Sequence, residues 1–409
     1  MCLKFSEGSC IEEGDLPLAL FKKLAPSLAR TEFLVLNGIG EPLLHPDLEE
    51  IIAIARAIMP ADGRIGFQSN GLLFNQTRAL GLIEAGLDTV CLSLDNLDAG
   101  DAGNGPQKGH QFTAVNRALA HLLQAREMLQ KPVRLGIEVV LQRKTLHQLQ
   151  DLVAWAGAHQ IDFIIASHLF SYDGSLAEQS LFNPNSYEAT ELFAKWAVAA
   201  QAQGLQLADL PAAQRKFYKN PAERLLVQLG EAMWQEAREK NIDYHFANLV
   251  AQSDQDMVEV EACFHQAQQS AQQGGIDLFL PPLHAQANGQ RSCSFIEDEA
   301  IFIDTKGKVM PCHFLWHTCP GQVNKGTIQV EARVLGSITE EPLETIWQKK
   351  TAAAFRAEAG KHDYAPCWSC TSAPCADLVN DNLLGMHDCY GSHVPCGHCM
   401  WAIGWLKCL

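Results

Sequence analysis

Cysteines crowd the C-terminal part of this chain, and their spacing limits what that part can fold around. Ten of the fourteen cysteines lie there: Cys293, Cys312, Cys319, Cys367, Cys370, Cys375, Cys389, Cys396, Cys399 and Cys408. Two Cys-x2-Cys pairs can each converge on one soft metal centre, while wider gaps let distant loops supply further ligands. The pattern predicts bound metal ions or iron–sulfur clusters, and it places the function on these sulfur atoms.

Two other uses of clustered cysteines are a disulfide framework and zinc. Disulfide frameworks are typical of short secreted domains that cannot bury a core, whereas this chain has 409 residues, of which 47% are hydrophobic. Zinc stays open at this stage, because each Cys-x2-Cys pair could be half of a zinc ribbon, with His387, His393 and His398 as further ligands.

Net charge and hydropathy exclude some partners. The 31 basic and 47 acidic residues give a net charge of −16, which opposes binding to nucleic acid or to an anionic membrane and favours a neutral or basic partner such as a peptide. Residues 1–14 lack the apolar stretch of a secretory signal, and residues 51–59 are too few to span a bilayer. We therefore expect a cytoplasmic protein, in a reducing compartment that keeps thiols available as ligands.

The first half of the chain alternates short β-rich runs with amphipathic stretches, which is the pattern of parallel strands with crossover helices. Strands are predicted at 33–36, 64–68, 89–93, 134–141 and 163–166, and helices at 47–58, 114–129 and 146–159. The pattern predicts an α/β fold, a TIM-like barrel or part of one.

Ligand sites in such folds lie just beyond the carboxyl ends of the strands. The residues found there are small or polar: Gly38, Gly40 and Glu41 after the first visible strand, Asn70 after the second, and Ser93 and Asp95 at the third. Glycine permits close backbone approach, Glu41 can accept from an ammonium group, and Asn70 and Ser93 can bind a carboxylate or a ribose hydroxyl. Together these groups suit a zwitterionic nucleoside.

Residues 171–290 contain neither pattern and are predicted to be a helical linker or insertion. Asn185 to Glu188 form a capping box before one helix, Asn220-Pro221 begin another, and residues 276–280 could be a strand that leads into the cysteine domain. The expected domains are 1–170, 171–290 and 291–409.

Two sets of motifs in the chain resemble those of a known family. The segment from Gly38 to Pro46 resembles the Gly-Gly-Glu-Pro-Leu-Leu-His-Pro segment of radical S-adenosylmethionine (SAM) enzymes, with Ile39 in place of the first of these glycines, and Gly86-Leu87-Asp88 with Ser93-Leu94-Asp95 resembles their fourth-strand signature. Cys293, thirteen residues, Gly307, four residues and Cys312, followed by Cys367-x2-Cys370, resembles the SPASM domain.

The resemblance implies a partial (β/α)6 radical SAM barrel without its first strand and a SPASM domain with two auxiliary 4Fe-4S clusters. It also implies Gly38, Gly40, Glu41, Asn70, Ser93 and Asp95 as SAM-binding residues. Cys293, Cys312 and Cys319 are grouped with one cluster and Cys367, Cys370 and Cys375 with the other, while Cys389, Cys396, Cys399 and Cys408 complete the two sets or stay free. The family's Cys-x2-Cys-x5-Cys-x3-Cys run is not kept, because four residues separate Cys370 from Cys375.

The family holds its radical SAM cluster with a Cys-x3-Cys-x2-Cys motif, and only Cys2 resembles part of it. We therefore expect a start placed too late or a trimmed chain, with Cys2 as the remaining ligand of the radical SAM cluster and Cys10 as a loop cysteine. A third 4Fe-4S cluster is expected only in a complete protein.

The implied activity is reductive SAM cleavage to a 5'-deoxyadenosyl radical for peptide or protein modification, with flavodoxin or ferredoxin as electron donor. The motifs are most similar to maturases of tungsten-cofactor oxidoreductases. The alternative is a non-catalytic iron–sulfur protein for electron transfer or peptide binding.

Overall fold

The computed structural model describes most of the chain. It covers Lys4 and residues 11–97, 111–171, 176–251, 254–285, 291–323, 326–364, 387–388, 390–397, 399–407 and 409. Its helices are α1 (Leu18–Phe21), α2 (Ala25–Leu28), α3 (Leu48–Ile58), α4 (Gln76–Ala85), α5 (Gln111–Leu129), α6 (Leu149–Ala158), α7 (Tyr187–Gln201), α8 (Leu210–Arg215), α9 (Pro221–Glu239), α10 (Phe246–Ala251), α11 (Asp254–Gly274), α12 (Ser294–Glu297), α13 (Leu343–Gln348) and α14 (Lys350–Ala359).

Six parallel strands form the main sheet. They are β1 (Phe33–Val35), β2 (Arg64–Ser69), β3 (Thr89–Ser93), β4 (Arg134–Leu141), β5 (Phe163–His168) and β6 (Asp277–Phe279), and they lie side by side in chain order. Helices follow the strands as crossovers, which confirms the predicted parallel α/β architecture. β6 confirms the strand that was predicted to lead into the cysteine domain.

Side chains alternate between the two faces of the sheet, and the two faces differ in character. Ile65 and Phe67 of β2 and Ile137 and Val139 of β4 are buried in the large apolar core that the helices α3 to α6 cover. The intervening residues point to the inner face, where Gln68 and other polar side chains lie. This face therefore leaves space for a polar ligand.

Residues 171–290 divide between two layers. α7 to α10 and the segments between them share a core of their own, which includes Leu192, Leu210 and Met233. Ser186 is the N-cap of α7 and its side chain accepts from the Ala189 N–H, within the segment where the capping box was predicted. Asn220 is the N-cap of α9, which confirms the predicted helix start, and the full capping box is found here, with Glu223. α11, in contrast, packs against α6, and β6 pairs with β5, so both pack with the main sheet and its helices.

The C-terminal region forms a second core around short β elements. These are β7 (Phe302–Ile303), β8 (Lys308–Met310) and β11 (Gly336–Ser337) in one antiparallel sheet, and β9 (Cys319–Val323) and β10 (Gly326–Val330) in another. Ser27 Oγ donates to Glu344 Oε1 at 2.7 Å, and the backbone N–H of His168 donates to the Trp405 carbonyl at 3.0 Å. The region therefore contacts the first domain at two separate places. Among the described helices, none has the length and apolar character of a membrane span.

Candidate functional site

Four cysteines of the C-terminal region line one cavity. Cys293, Cys312, Cys396 and Cys399 come from three separate segments of the chain, and the walls between them are mainly apolar side chains, among them Phe355. We call this space the thiol cavity. The seven described cysteines are all without disulfides, so the described part of the chain offers no support for a disulfide framework.

Local backbone structure explains how three of these thiols are oriented. Cys293 precedes α12, Cys312 precedes the 3-10 turn His313–Leu315, and Cys399 precedes the 3-10 turn Met400–Ile403. The Trp401 N–H donates to Cys399 Sγ at 3.4 Å, and backbone N–H groups of the other two turns also favour the thiolates of Cys293 and Cys312. Backbone N–H groups that point at sulfur stabilise negative charge there, which is a common feature of iron–sulfur sites.

Burial keeps these thiols neutral as long as no positive charge is near. It raises the pKa of Cys293 and Cys399, raises that of Cys312 to about 12 and that of Cys396 well above the ordinary value, and the neighbouring thiols raise the pKa of Cys396 further. A buried thiolate needs a cation to offset its desolvation, and iron would supply that charge as it displaces the protons.

The donor set of the thiol cavity consists of four cysteines. Within the described residues, no three His, Cys, Asp or Glu side chains are arranged to hold one metal ion. Instead, four thiols surround a shared space, which is the arrangement that a four-cysteine iron–sulfur cluster needs. The residues therefore fit a four-cysteine iron–sulfur cluster.

The remaining predicted ligands are placed differently or not described. Cys319 is buried but lines a second cavity, whereas Cys396 and Cys399 lie beside Cys293 and Cys312. Six other predicted ligands lie outside the described residues: Cys2, Cys367, Cys370, Cys375, Cys389 and Cys408. Cys10 also lies outside them. Spacing alone leaves the grouping open because it does not tell which loops meet.

The predicted SAM-binding residues gather at one edge of the parallel sheet. Gly38, Gly40 and Glu41 follow β1, Asn70 follows β2, and Ser93 and Asp95 lie at the end of β3, which is a neighbour of β2. A Cβ atom added at Gly40 would meet nothing within 4 Å, so the backbone there is open to a ligand. At Gly38, an added Cβ would lie 3.8 Å from the ring of Trp316.

Glu41 is more engaged with the protein than the sequence predicts. Its Oε1 accepts from Ser69 Oγ at 2.8 Å and from the Leu43 N–H at 3.2 Å, and its Oε2 accepts from the Asn70 N–H at 2.9 Å. The carboxylate thus joins the loop after β1 to the end of β2. Fewer of its acceptor positions are left for an ammonium group than we expected.

A second cavity of about 260 Å³ opens between this edge of the sheet and the C-terminal region. We call it the chamber. Side chains from both parts of the chain line it, among them Gln68, Glu138, His168, His313, His317 and Lys407. Phe314 and Trp401 line both the chamber and the thiol cavity, so one layer of aromatic side chains separates the two spaces.

The sequence prediction does not include Glu138, although the sequence contains a signal for it. Glu138 is the one acidic residue in β4, whose other residues between Leu135 and Leu141 are apolar or glycine. Its carboxyl group lies on the inner face of the sheet. Burial is the larger cause and repulsion from Asp95 the smaller cause that together raise its pKa to about 7. Burial also raises the pKa of Asp95, whose Oδ1 accepts from the Val140 N–H at 3.1 Å.

Sequence comparisons agree with this architecture. The SPASM family, described as an iron-sulfur cluster-binding domain, matches residues 293–371. The tungsten-containing aldehyde ferredoxin oxidoreductase cofactor-modifying protein of Pyrococcus furiosus is 21% identical over 397 residues, which are 96% of this chain and 88% of that protein. GTP 3',8-cyclase of Chlorobaculum tepidum is 40% identical over 84 residues, which are 20% of this chain and 24% of that protein.

Among solved structures, the chain matches anSMEcpe with bound AdoMet at 14% identity and a TM-score of 0.45, over 89% of this chain and 76% of that one. Streptococcus suis SuiB bound to S-adenosylmethionine has 11% identity, a TM-score of 0.45, and coverage of 91% and 69%. The sequence matches, together with the parallel sheet and the thiol cavity, confirm the predicted resemblance of this chain to radical SAM proteins with a SPASM domain.

Proposed function

We propose that the protein is a radical SAM enzyme that modifies a peptide or protein after translation. The observation that carries this proposal is the position of the thiol cavity, which lies one aromatic layer from a chamber at the carboxyl edge of a parallel sheet. An auxiliary cluster held there would lie beside the chamber, with Phe314 and Trp401 between them, and its chemistry would be electron exchange with a bound substrate or orientation of that substrate.

The proposal assigns residues to each bound group. Cys293, Cys312, Cys396 and Cys399 would hold one auxiliary 4Fe-4S cluster. Gly38, Gly40, Glu41, Asn70, Ser93 and Asp95 would surround SAM at the strand ends. When they are bound, a reduced 4Fe-4S cluster and SAM supply a 5'-deoxyadenosyl radical that abstracts a hydrogen atom from the substrate.

The chain's own residues contribute orientation and protection from water. Phe314 and Trp401 close the chamber on the side of the thiol cavity, and Phe170 lines it as well. Apolar walls keep water away from the reacting groups and lower the local dielectric constant. Glu41 fixes the loop after β1 against the end of β2, so the backbone at Gly40 keeps one position relative to Asn70.

Substrate and partners are part of the proposal. The Pyrococcus relative is named a cofactor-modifying protein of a tungsten-containing oxidoreductase, which supports a maturase role. The net charge of −16 favours a neutral or basic peptide over nucleic acid. A small electron donor such as flavodoxin or ferredoxin would reduce the clusters, and the reducing cytoplasm would preserve their thiolate ligands.

Release of 5'-deoxyadenosine tests the proposal. Protein that carries the radical SAM cluster as well as the auxiliary clusters after anaerobic reconstitution is reduced with dithionite and incubated with SAM, and 5'-deoxyadenosine and methionine are measured by liquid chromatography with mass spectrometry. We expect both products in equal amounts. Ser93→Ala should weaken SAM binding and slow the release without loss of iron, whereas Ser180→Ala, outside both cavities, should behave as wild type. Full cluster content without 5'-deoxyadenosine would overturn the proposal and favour the non-catalytic alternative.

A further inference from the structure

Three side chains on the inner face of the sheet form a continuous hydrogen-bonded row beneath the predicted cofactor residues. Asn37 follows β1, Gln68 is in β2 and Glu138 is in β4. In the strand register, Gln68 pairs with Cys91 of β3, and Cys91 pairs with Gly136 of β4. The Gln68 side chain thus reaches Glu138 across the intervening strand β3.

Both ends of the Gln68 amide are used, so its position is fixed. Asn37 Nδ2 donates to Gln68 Oε1, and Asn37 Oδ1 accepts from the Gln68 backbone N–H at 2.8 Å. Gln68 Nε2 then donates to Glu138 Oε2 at 2.5 Å. The row presents the carboxyl group of Glu138 to the chamber in a defined orientation.

This row adjoins the predicted SAM site directly. Asn37 precedes Gly38, Gln68 lies two residues before Asn70, and Asp95 is close enough to Glu138 to repel its charge. The carboxyl group of Glu138 therefore lies near the residues that the cofactor would contact, on the side of the sheet that faces the chamber.

Glu138 has no strong cationic partner in the described part of the chain, since burial and Asp95 dominate its environment. The other titratable groups that line the chamber are His168, His313, His317, Cys319 and Lys407. Burial lowers the pKa of His168 and His313 to about 4, so both are neutral at pH 7, and it also lowers the pKa of His317. The Lys407 ammonium group lies 3.7 Å from the ring centroid of Phe279, and Lys144 acts on Asp95.

A buried acid without a cation is costly when ionised, and a cationic ligand removes that cost. On the basis of the proposed function, we propose that Glu138 supplies the negative charge that balances the sulfonium group of S-adenosylmethionine. The ammonium and carboxylate groups of SAM balance each other's charge, which leaves the sulfonium as the positive charge to be balanced. SAM thereby completes an ion pair that the chain alone leaves open.

Binding of SAM and of S-adenosylhomocysteine, which has a neutral sulfur atom, separates this charge effect from all other contacts. Isothermal titration calorimetry on the anaerobically reconstituted, unreduced holoprotein gives the dissociation constants of both compounds at pH 6 and pH 8. Because the two compounds share the amino acid portion, its pH dependence cancels in their ratio. Glu138 ionises between these pH values, so the preference for SAM should grow about tenfold from pH 6 to pH 8.

Variants make the result specific to Glu138. In Glu138→Gln, the ratio of the two dissociation constants should no longer change with pH, whereas Glu138→Asp should keep the pH dependence. Glu127 is an exposed acid on α5, and Glu127→Gln should match wild type. Circular dichroism confirms that each variant is folded. If Glu138→Gln keeps the wild-type ratio at both pH values, the inference is overturned while SAM binding, and with it the proposed function, stands. If the wild-type protein binds neither compound, both fail.

Discussion

Cys396 is the residue at which the make-up of the proposed ligand set can be tested most directly. It lies with Cys399 on the loop that closes the thiol cavity, and three neighbouring thiols as well as burial oppose its ionisation. Such a side chain is unfavourable as a free thiolate and favourable as an iron ligand, because the metal offsets the repulsion among the four sulfur atoms. Cys319 lies apart, on the wall of the chamber.

We predict that Cys396→Ala lowers the iron and acid-labile sulfide content by about four atoms each per chain, because a 4Fe-4S cluster needs its four thiolates. Iron and sulfide are determined after anaerobic reconstitution, with zinc measured in the same samples. Cys263→Ala serves as the matched control, since Cys263 lies on α11, away from both cavities. An iron content equal to wild type in Cys396→Ala, or stoichiometric zinc with little sulfide, would contradict a cluster in the thiol cavity.

At the scale of elements, the contact between β4 and β5 depends on the absence of a side chain at Gly136. A Cβ atom added there would lie 2.2 Å from ring atoms of Phe163 on β5, far inside van der Waals contact. The guanidinium carbon of Arg134 lies 5.1 Å from the centroid of the same ring, so the Phe163 ring packs against both Arg134 and Gly136 of β4. This packing holds β4 in the register that puts Glu138 in the chamber.

Gly136→Ala should destabilise the protein by about 1–3 kcal/mol, because the Phe163 ring must move out of a packed position. Chemical unfolding followed by circular dichroism measures the change. Gly40→Ala is the matched control, because its added methyl group would meet nothing within 4 Å and should leave the free energy of unfolding unchanged while it hinders SAM binding. Equal stability of Gly136→Ala and wild type would show that the two strands separate at little cost.

The strands show what sequence patterns can and cannot predict. Runs such as Thr89–Ser93 and Phe163–His168 are rich in β-branched and apolar residues, so the strands are predicted within two residues of their observed ends. The row from Asn37 through Gln68 to Glu138 depends on which strands become neighbours and on which face each residue lies. Those facts arise from the register of the assembled sheet, and no local pattern contains them.

For the whole molecule, His168 connects parts of the chain that are distant in sequence. It ends β5, its Nε2 lies 2.8 Å from the Pro282 carbonyl ahead of the C-terminal region, and its ring contacts Phe182 and Trp405. Because a carbonyl only accepts, Nε2 carries the proton, and burial lowers the pKa of the ring to about 4. The contact between β5 and the C-terminal region therefore contains a histidine that is neutral at pH 7.

This histidine makes stability depend on pH in a direction that follows from linkage. As pH falls below the ordinary histidine value of 6.5, the unfolded chain takes up a proton that the folded chain refuses until about pH 4. The contribution of neutral His168 to the free energy of unfolding is thus complete above pH 6.5. It is lost between pH 6.5 and 4, by about 3 kcal/mol for this one group. Glu138 acts in the opposite sense, because its raised pKa costs stability as pH rises from 4.5 to about 7.

His168→Gln should reduce the slope of the free energy of unfolding against pH between pH 4 and 6.5, by an amount equivalent to up to one bound proton. The reason is that glutamine can still donate to the Pro282 carbonyl but does not titrate. Urea unfolding at half-unit steps between pH 4 and 7.5 gives the free energy of unfolding and its slope. His147→Gln, at an exposed position before α6, is the matched control and should keep the wild-type slope. If both variants lose acid stability as wild type does, the junction at His168 is open to water and protons, and its neutral imidazole does not hold the two domains together.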